Sequence, residues 1–261
     1  MNNSINSFLL FNTNFTFCFS SSLLKIISLV NPNSLINIPT EKFQQYYLLA
    51  LKFIDGHKLR YQDCNKTVIK NLLADYQKIT HTKFPENLVK PQVETVYEAD
   101  NITQYLNHNK HWTWHLINCY FWKNFIRQIQ LPDWPRQVIH GDLTANNILI
   151  DKNTYPHLLD FGRLRYGYIC EDIAELVCQL SGFRGLFGNL KRFKKLYGSI
   201  NKLFPEINKQ MWLYGVQFFY LMIISRHIRN KGKCLNIRKN ICLLIKLMNY
   251  TRLYRFLQKQ D

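Results

Sequence analysis

Glycine is scarce in this chain of 261 residues, and the first of its ten glycines is Gly56. A glycine-rich loop of the kind that surrounds phosphate groups is therefore excluded from the residues before it. Seven cysteines are present, but none forms a CxxC pair and no histidine spacing completes a zinc motif. Scattered cysteines in an odd number are typical of reduced thiols, which predicts a cytoplasmic protein.

Long apolar runs are also absent. The most apolar stretch, 211–225, contains Gln217 and is shorter than the roughly 18 to 20 residues that cross a bilayer. No transmembrane helix is therefore expected. The N-terminus has apolar patches but neither a basic start nor a small-residue cleavage site, so a secretory signal is not expected either.

Acidic residues are few, 17 against 34 lysines and arginines, which gives a formal net charge of +17. From Phe187 onward there are 16 basic residues, and the only acids are Glu206 and Asp261. Such a charge indicates an anionic partner (a phosphorylated substrate, a nucleic acid or a membrane surface) or simply a solvated helical surface. No nucleic-acid-binding motif surrounds the basic stretch 191–198, so nucleic acid is not expected as a partner. Peripheral contact with an anionic membrane stays open.

Apolar spacing predicts a small β-containing portion up to about residue 56. It consists of a hairpin over 8–19, a short helix over 21–30 and a strand or strand pair over 40–56, which ends at the turn signal Asp55-Gly56.

Helices are expected in most of the remaining chain. One begins near Asn65, with an apolar stripe at Val68, Leu72, Leu73, Tyr76 and Ile79. Others are expected from about Trp112 to Gln130 and, after Glu171, around apolar stripes that begin at Ile173, Met211 and Ile237.

The most informative stretch is VIHGDLTANNILID at 138–151, which LLDFGR follows at 158–163. We expect two short strands, Val138–His140 and Asn147–Asp151, on either side of a loop. This geometry would bring an aspartate, an asparagine and a second aspartate to one place.

The three side chains are Asp142, Asn147 and Asp160. An aspartate on a loop can accept or orient a hydroxyl proton, while an amide oxygen and a second carboxylate are the hard ligands that Mg²⁺ prefers. These are the groups that phosphoryl transfer requires.

HGDLTANNIL and LLDFGR resemble the catalytic and metal-binding segments of the aminoglycoside phosphotransferase and choline kinase-like family. The resemblance implies an α+β, protein-kinase-like two-lobe fold with a reduced β-containing N-lobe over 1–56 and a mainly helical C-lobe over 57–261. It also implies transfer of the γ-phosphoryl group of ATP, with Mg²⁺, to a hydroxyl of a small molecule.

By this match, Asp142 takes the position of the catalytic base, and Asn147 and Asp160 take the two metal-ligand positions. His140 would support the loop. EDIAELV at 171–177 resembles the family's short helix, in which Asp172 would brace the catalytic loop; Asp172 could equally cap its helix.

YYLLALKFIDG at 46–56 resembles the family's last N-lobe strand and its hinge. The backbone of Lys52, Phe53 and Ile54 would then contact the adenine of ATP. NLLADYQKITH at 71–81 resembles the helix that follows the hinge.

The first 56 residues depart from the family pattern. The predicted helix over 21–30 carries no acid, and the strand-like FTFCF at 15–19 carries no lysine, so the lysine–glutamate pair that contacts phosphate is not found. Two hypotheses follow: a reduced but active kinase, or a kinase-like protein that binds ligand without turnover. The presence of Asp142, Asn147 and Asp160 favours the active kinase.

The scarcity of acidic residues in the C-terminal part of the chain also limits which acceptor could bind. After Asp172 the only acids are Glu175, Glu206 and Asp261, so a polycationic acceptor fits poorly. We expect a neutral or anionic acceptor such as a sugar, a phosphorylated sugar or a lipid-linked saccharide. A choline-like amine held in an aromatic cage stays open.

Overall fold

The computed structural model describes residues 42–43, 46–47, 54–84, 104, 133–229 and 237–260. The chain divides into two units, Met1–Gly56 and His57–Asp261. The predicted hairpin over 8–19 and the predicted helices over 21–30 and 112–130 lie outside the described residues.

In the first unit, two short strands pair antiparallel, β1 (Lys42–Phe43) and β2 (Tyr46–Tyr47), with Phe43 opposite Tyr46. They lie within the stretch for which a strand pair is predicted. The assignment of 1–56 to an N-lobe and 57–261 to a C-lobe stays a prediction.

From residue 56 onward the chain forms five strands and five helices within the described ranges. In chain order these are β3 (Gly56–Lys58), α1 (Lys66–His81), β4 (Gln137–Ile139), β5 (Ile148–Asp151), β6 (Pro156–Leu158), β7 (Arg165–Gly167), α2 (Ile169–Leu180), α3 (Leu190–Leu203), α4 (Lys209–Arg229) and α5 (Ile237–Gln258). Short antiparallel sheets with a mainly helical remainder confirm the predicted α+β class.

Helix α1 forms where the apolar spacing predicts it. Asn65 is its N-cap and accepts a hydrogen bond from the Val68 amide at 2.9 Å, which satisfies one of the free amides of the first turn. All five residues of the predicted stripe are buried. The helix ends at His81, near basic residues that favour a helix C-terminus.

The strands on either side of the loop 140–147 are short, and each pairs antiparallel with a strand further along the chain. β5 pairs with β6 and β4 pairs with β7. The Leu59 amide, just after β3, donates to the Ile148 carbonyl at 2.9 Å. β3 therefore lies beside β5, on the edge opposite β6.

Helices α2 and α4 pack against each other, and α5 packs on α4. Residues 212–221 of α4 are buried on every side, as is typical of a helix enclosed by other elements. At Gly215 a β-carbon would collide with the Cys170 carbonyl of α2. The missing side chain therefore permits the close approach of the two helices.

Helix α3 was not predicted individually. The basic residues of its exposed face dominate 191–198, so the sequence was interpreted there by its positive charge and not by its apolar spacing. Its buried residues, Phe193, Leu196 and Ile200, recur at helical spacing. Asn201 of α3 accepts a hydrogen bond from the indole Nε1 of the fully buried Trp212 at 2.6 Å, which joins α3 to α4.

None of the helices in the described part of the chain has the length and hydropathy of a membrane-spanning segment. The four cysteines that the structure describes, Cys64, Cys170, Cys178 and Cys242, are free thiols.

Candidate active site

The loop between β4 and β5 begins at His140, whose side chain is fully buried. Its Nε2 donates a hydrogen bond to the Leu159 carbonyl oxygen at 2.8 Å. Its ring also contacts the Phe161 ring, with centroids 5.1 Å apart. His140 therefore ties the loop to the segment that contains Asp160.

Asp142 and Asn147 lie together in this loop. The Asn147 Nδ2 donates to the backbone oxygen of Asp142 at 2.9 Å and to its carboxylate Oδ2 at 3.2 Å. A 3₁₀ turn at Ala145–Asn147 positions the asparagine, and Gln179 Oε1 accepts from the Ala145 amide at 2.9 Å. Because Asp142 engages the amide nitrogen, the Asn147 Oδ1 is the atom available to a ligand.

Strand pairing brings Asp160 to the same place. Ile148, directly after Asn147, lies opposite Leu158. The Leu159 amide then donates to the Asn147 carbonyl at 2.9 Å, so Asp160 follows a residue that is bonded to the metal-ligand candidate.

Asp160 has an uncommon backbone conformation. Its φ of 59° and ψ of 67° lie in the left-handed region, and its Oδ1 accepts from the Gly162 amide at 3.4 Å. Such residues cost free energy and cluster at functional sites when the surrounding structure holds them in place. The carboxylate is exposed to solvent.

Arg163 links the far side of this turn to Asp142. Its Nε lies 3.7 Å from the Asp142 Oδ2, and its side chain is half exposed. Both flanks of Asp160 therefore contact the Asp142–Asn147 pair, and the structure brings the three predicted residues together. Arg163 was not predicted; its place directly after the DFG-like turn is the signal that could have found it.

Asp172 supports the loop from the first turn of α2. Its carboxylate accepts from the Gly141 amide at 3.1 and 3.2 Å and from the Tyr76 hydroxyl at 3.0 Å. The N-cap of α2 is Tyr168, so the alternative that Asp172 caps its helix is wrong. Burial, reinforced by the charge of Asp172, raises the pKa of Tyr76 and keeps its hydroxyl a donor.

A buried ion pair fixes the neighbouring residue of α2. The Arg165 Nη1 lies 2.6 Å from the Glu171 Oε2, and the Tyr214 hydroxyl donates to the other carboxylate oxygen at 3.4 Å. Burial raises the pKa of Glu171, and Arg165 opposes this effect. Neither Glu171 nor Arg165 was singled out by the sequence.

The predicted adenine contacts are not placed in the site. Lys52 and Phe53 lie outside the described residues, and Ile54 is half-buried at the start of the range 54–84.

The site offers few oxygen donors for Mg²⁺. Among the residues that the structure describes, no three His, Cys, Asp or Glu side chains cluster as a metal site. Asn147 and Asp160 supply one amide oxygen and one carboxylate, and Mg²⁺ typically combines such a small set with phosphate oxygens and water. The donors therefore fit Mg²⁺ bound together with a phosphorylated ligand.

Comparison with known proteins gives one family match. Residues 69–190 match the phosphotransferase enzyme family, and this segment contains most of α1, the loop and α2. A comparison with curated proteins finds no match.

Several solved structures are similar in fold. Ethanolamine kinase from Plasmodium vivax is 14% identical with a TM-score of 0.59, and the match covers 90% of this chain and 72% of that one. Spectinomycin phosphotransferase in complex with ADP and spectinomycin is 14% identical, TM-score 0.57, covering 89% and 77%. An aminoglycoside phosphotransferase from Alicyclobacillus acidocaldarius is 11% identical, TM-score 0.60, covering 86% and 74%. At these identities the likeness shows a shared fold.

Proposed function

We propose that the chain is a small-molecule kinase, because residues 69–190 match the phosphotransferase enzyme family and the fold is similar to that of solved small-molecule kinases. It transfers the γ-phosphoryl group of ATP, with Mg²⁺, to a hydroxyl of a neutral or anionic acceptor. The observation that carries this proposal is the Asn147–Asp142 hydrogen bond beside the left-handed Asp160.

Asp142 is the proposed base. Its carboxylate accepts the proton of the acceptor hydroxyl while the hydroxyl oxygen bonds to the γ-phosphorus. The bond from that phosphorus to the oxygen shared with the β-phosphate breaks, so that ADP leaves and a phosphate ester forms. Arg163, whose Nε lies 3.7 Å from the Asp142 Oδ2, orients the carboxylate.

Asn147 and Asp160 are the proposed metal ligands, through Oδ1 of the amide and the exposed carboxylate. Mg²⁺, when bound there, would neutralise charge on the phosphate groups. His140 and Asp172 are positioning residues: one holds the loop to Leu159, and the other holds the Gly141 amide next to Asp142.

The nucleotide side of the proposal rests on resemblance. Lys52, Phe53 and Ile54 are proposed to meet adenine through their backbone. Solved structures of spectinomycin phosphotransferase with ADP and with AMP support a nucleotide in this fold. A cytoplasmic location is part of the proposal, because ATP is available there and free thiols such as Cys64 persist.

Thermal unfolding with Mg²⁺ and ATP tests the proposal. A ligand at 100 times its dissociation constant stabilises a protein by about 2.7 kcal/mol, which raises the melting temperature measurably. We expect Asp160→Ala to abolish this stabilisation, because it removes a metal ligand. Asp142→Ala should keep the stabilisation and lose phosphoryl transfer.

Asp133→Ala is the matched control, since it removes an exposed aspartate that belongs neither to the loop 140–147 nor to the turn 160–163. No stabilisation of the wild type at millimolar MgATP would contradict the proposal. Stabilisation by MgATP without any phosphoryl transfer to a panel of alcohols would instead identify a kinase-like protein that binds nucleotide without turnover.

A further inference from the structure

A cavity of about 210 Å³ opens beside the catalytic loop and is lined by described residues of that loop, of the turn after Asp160, of α2 and α4 and of the loop after α2. Gly141 and Arg163 belong to its wall, so it adjoins the Asp142 carboxylate. It is smaller than the roughly 300 to 1,000 Å³ of pockets for drug-sized ligands, which favours a small occupant.

The polar wall of the cavity is mostly basic: Arg163, Arg165, Arg184, Arg226 and Glu175. Two of these arginines already have partners. Arg165 is paired with Glu171, and Arg163 lies near Asp142.

Arg184 and Arg226 are the other two. Neither has a carboxylate within 4.0 Å among the residues that the structure describes, although both lower the pKa of Glu175 through their charge. A guanidinium group presents a planar set of donors that matches carboxylate and phosphate. The cavity therefore contains two arginines whose ion-pairing capacity is not used within the described protein.

Glu175 does not cancel this charge fully. Burial raises the pKa of its carboxyl to about 7, reinforced by Asp172 and Asp142 and opposed by Arg226 and Arg184. Near neutral pH a substantial fraction of Glu175 is thus protonated, and the cavity keeps an excess of positive charge.

The apolar wall argues against a cationic occupant. Phe218 and Phe219 line the cavity with Met222 and Ile223. An aromatic cage for a quaternary ammonium needs free ring faces. One face of Phe218 is already taken by Arg165, whose Cζ lies 5.1 Å from the ring centroid.

We propose that the acceptor carries an anionic group, a phosphate or a carboxylate, that binds to Arg184 and Arg226 in this cavity. The hydroxyl that receives the phosphoryl group then lies toward Asp142, and this part of the inference rests on the proposed function. Of the neutral and anionic acceptors that the sequence allows, the cavity selects the anionic one.

Isothermal titration calorimetry of the full chain with four small alcohols tests the inference: glycerol 3-phosphate, glycerate, glycerol and choline. Each is titrated with and without saturating MgADP, so that anion binding at a nucleotide site is not counted. We expect one or both anions to bind at least about tenfold more tightly than glycerol and choline. The stronger of glycerol 3-phosphate and glycerate distinguishes a phosphate from a carboxylate.

Arg184→Ala and Arg226→Ala should each weaken binding of the preferred anion by about tenfold or more, as expected for a lost charge-assisted hydrogen bond. Arg255→Ala is the control, because this exposed arginine lies on α5 and does not line the cavity. Equal binding of the four alcohols would overturn the inference, and so would anion affinity that both cavity variants keep.

The two proposals fail separately. If MgADP binds but the anions show no preference, the anionic acceptor is wrong and the kinase remains. If the anions bind through Arg184 and Arg226 but no nucleotide binds, the kinase is wrong and the anion site remains.

Discussion

Gly141 is the position in the loop between β4 and β5 where a single methyl group should have the largest effect. Its φ is 76°, and a β-carbon there would lie well under 3.0 Å from the Arg163 carbonyl oxygen, a separation that real β-carbons essentially never show. The left-handed conformation costs an L-residue about 1 to 2 kcal/mol. Because the obstacle is backbone, relieving the overlap must shift the loop, at a further cost of about 1 to 3 kcal/mol.

Gly141→Ala should therefore lower the free energy of unfolding by about 2 to 5 kcal/mol, measured by urea denaturation. It should also slow phosphoryl transfer beyond any loss of folded protein. The Gly141 amide is bonded to Asp172, and its neighbour is the proposed base, so a shift of about 1 Å at the reacting groups can cost roughly a hundredfold in rate.

Gly198→Ala provides the matched control. Gly198 lies inside α3, and a β-carbon there meets no atom within 4 Å. Replacing a helical glycine by alanine should raise the free energy of unfolding by about 0.5 to 1 kcal/mol. The reasoning is refuted if Gly141→Ala unfolds at the same urea concentration as the wild type, or if the two alanine variants change stability in the same direction.

Three further substitutions test the surrounding structure. Glu175→Gln should remove a fall in stability with rising pH. Burial raises the pKa of Glu175 from 4.5 to about 7, so the folded protein holds this proton more tightly than the unfolded chain does. The free energy of unfolding of the wild type therefore drops between those pH values by up to about 3 kcal/mol. Urea denaturation of both proteins at pH 5 and pH 8 measures this, and parallel pH dependence would contradict it. Glu171→Ala should destabilise the fold by about 3 to 5 kcal/mol in the same assay, because it leaves Arg165 buried without its carboxylate; a loss below about 1 kcal/mol would contradict this. Asn65→Ala should cost about 1 kcal/mol, because the Val68 amide loses its cap, whereas Asn65→Asp should be nearly neutral; equal denaturation midpoints for the two variants would show that the cap is not the cause.

Elements that depend on residues close together in the chain could be predicted from the sequence. Helix α1, which begins near Asn65, was predicted from apolar spacing that the sequence displays directly. The two short strands that flank the loop were predicted from their apolar residues. Each pairs with a strand further along the chain, β4 with β7 and β5 with β6, and this pairing brings Asp142, Asn147 and Asp160 together.

Contacts between residues far apart in the chain could not be predicted from the sequence. Asp172 receives hydrogen bonds from Tyr76, 96 residues away, and from Gly141, 31 residues away. The sequence therefore showed Tyr76 only as a member of an apolar stripe and left Asp172 between two interpretations. The cavity at Glu175 and Arg226 likewise depends on how α2 packs on α4, which no single segment encodes.

The hydrogen bond from Asn147 to the backbone oxygen of Asp142 has an evolutionary consequence. Alanine at position 142 would remove the carboxylate but keep the peptide carbonyl, so the 2.9 Å bond that orients the asparagine would survive. On the proposed chemistry, one codon change at Asp142 is enough to turn a catalyst into a nucleotide receptor. A change at Asn147 would abolish both properties together, and descendants that lose turnover while retaining nucleotide should therefore vary first at position 142.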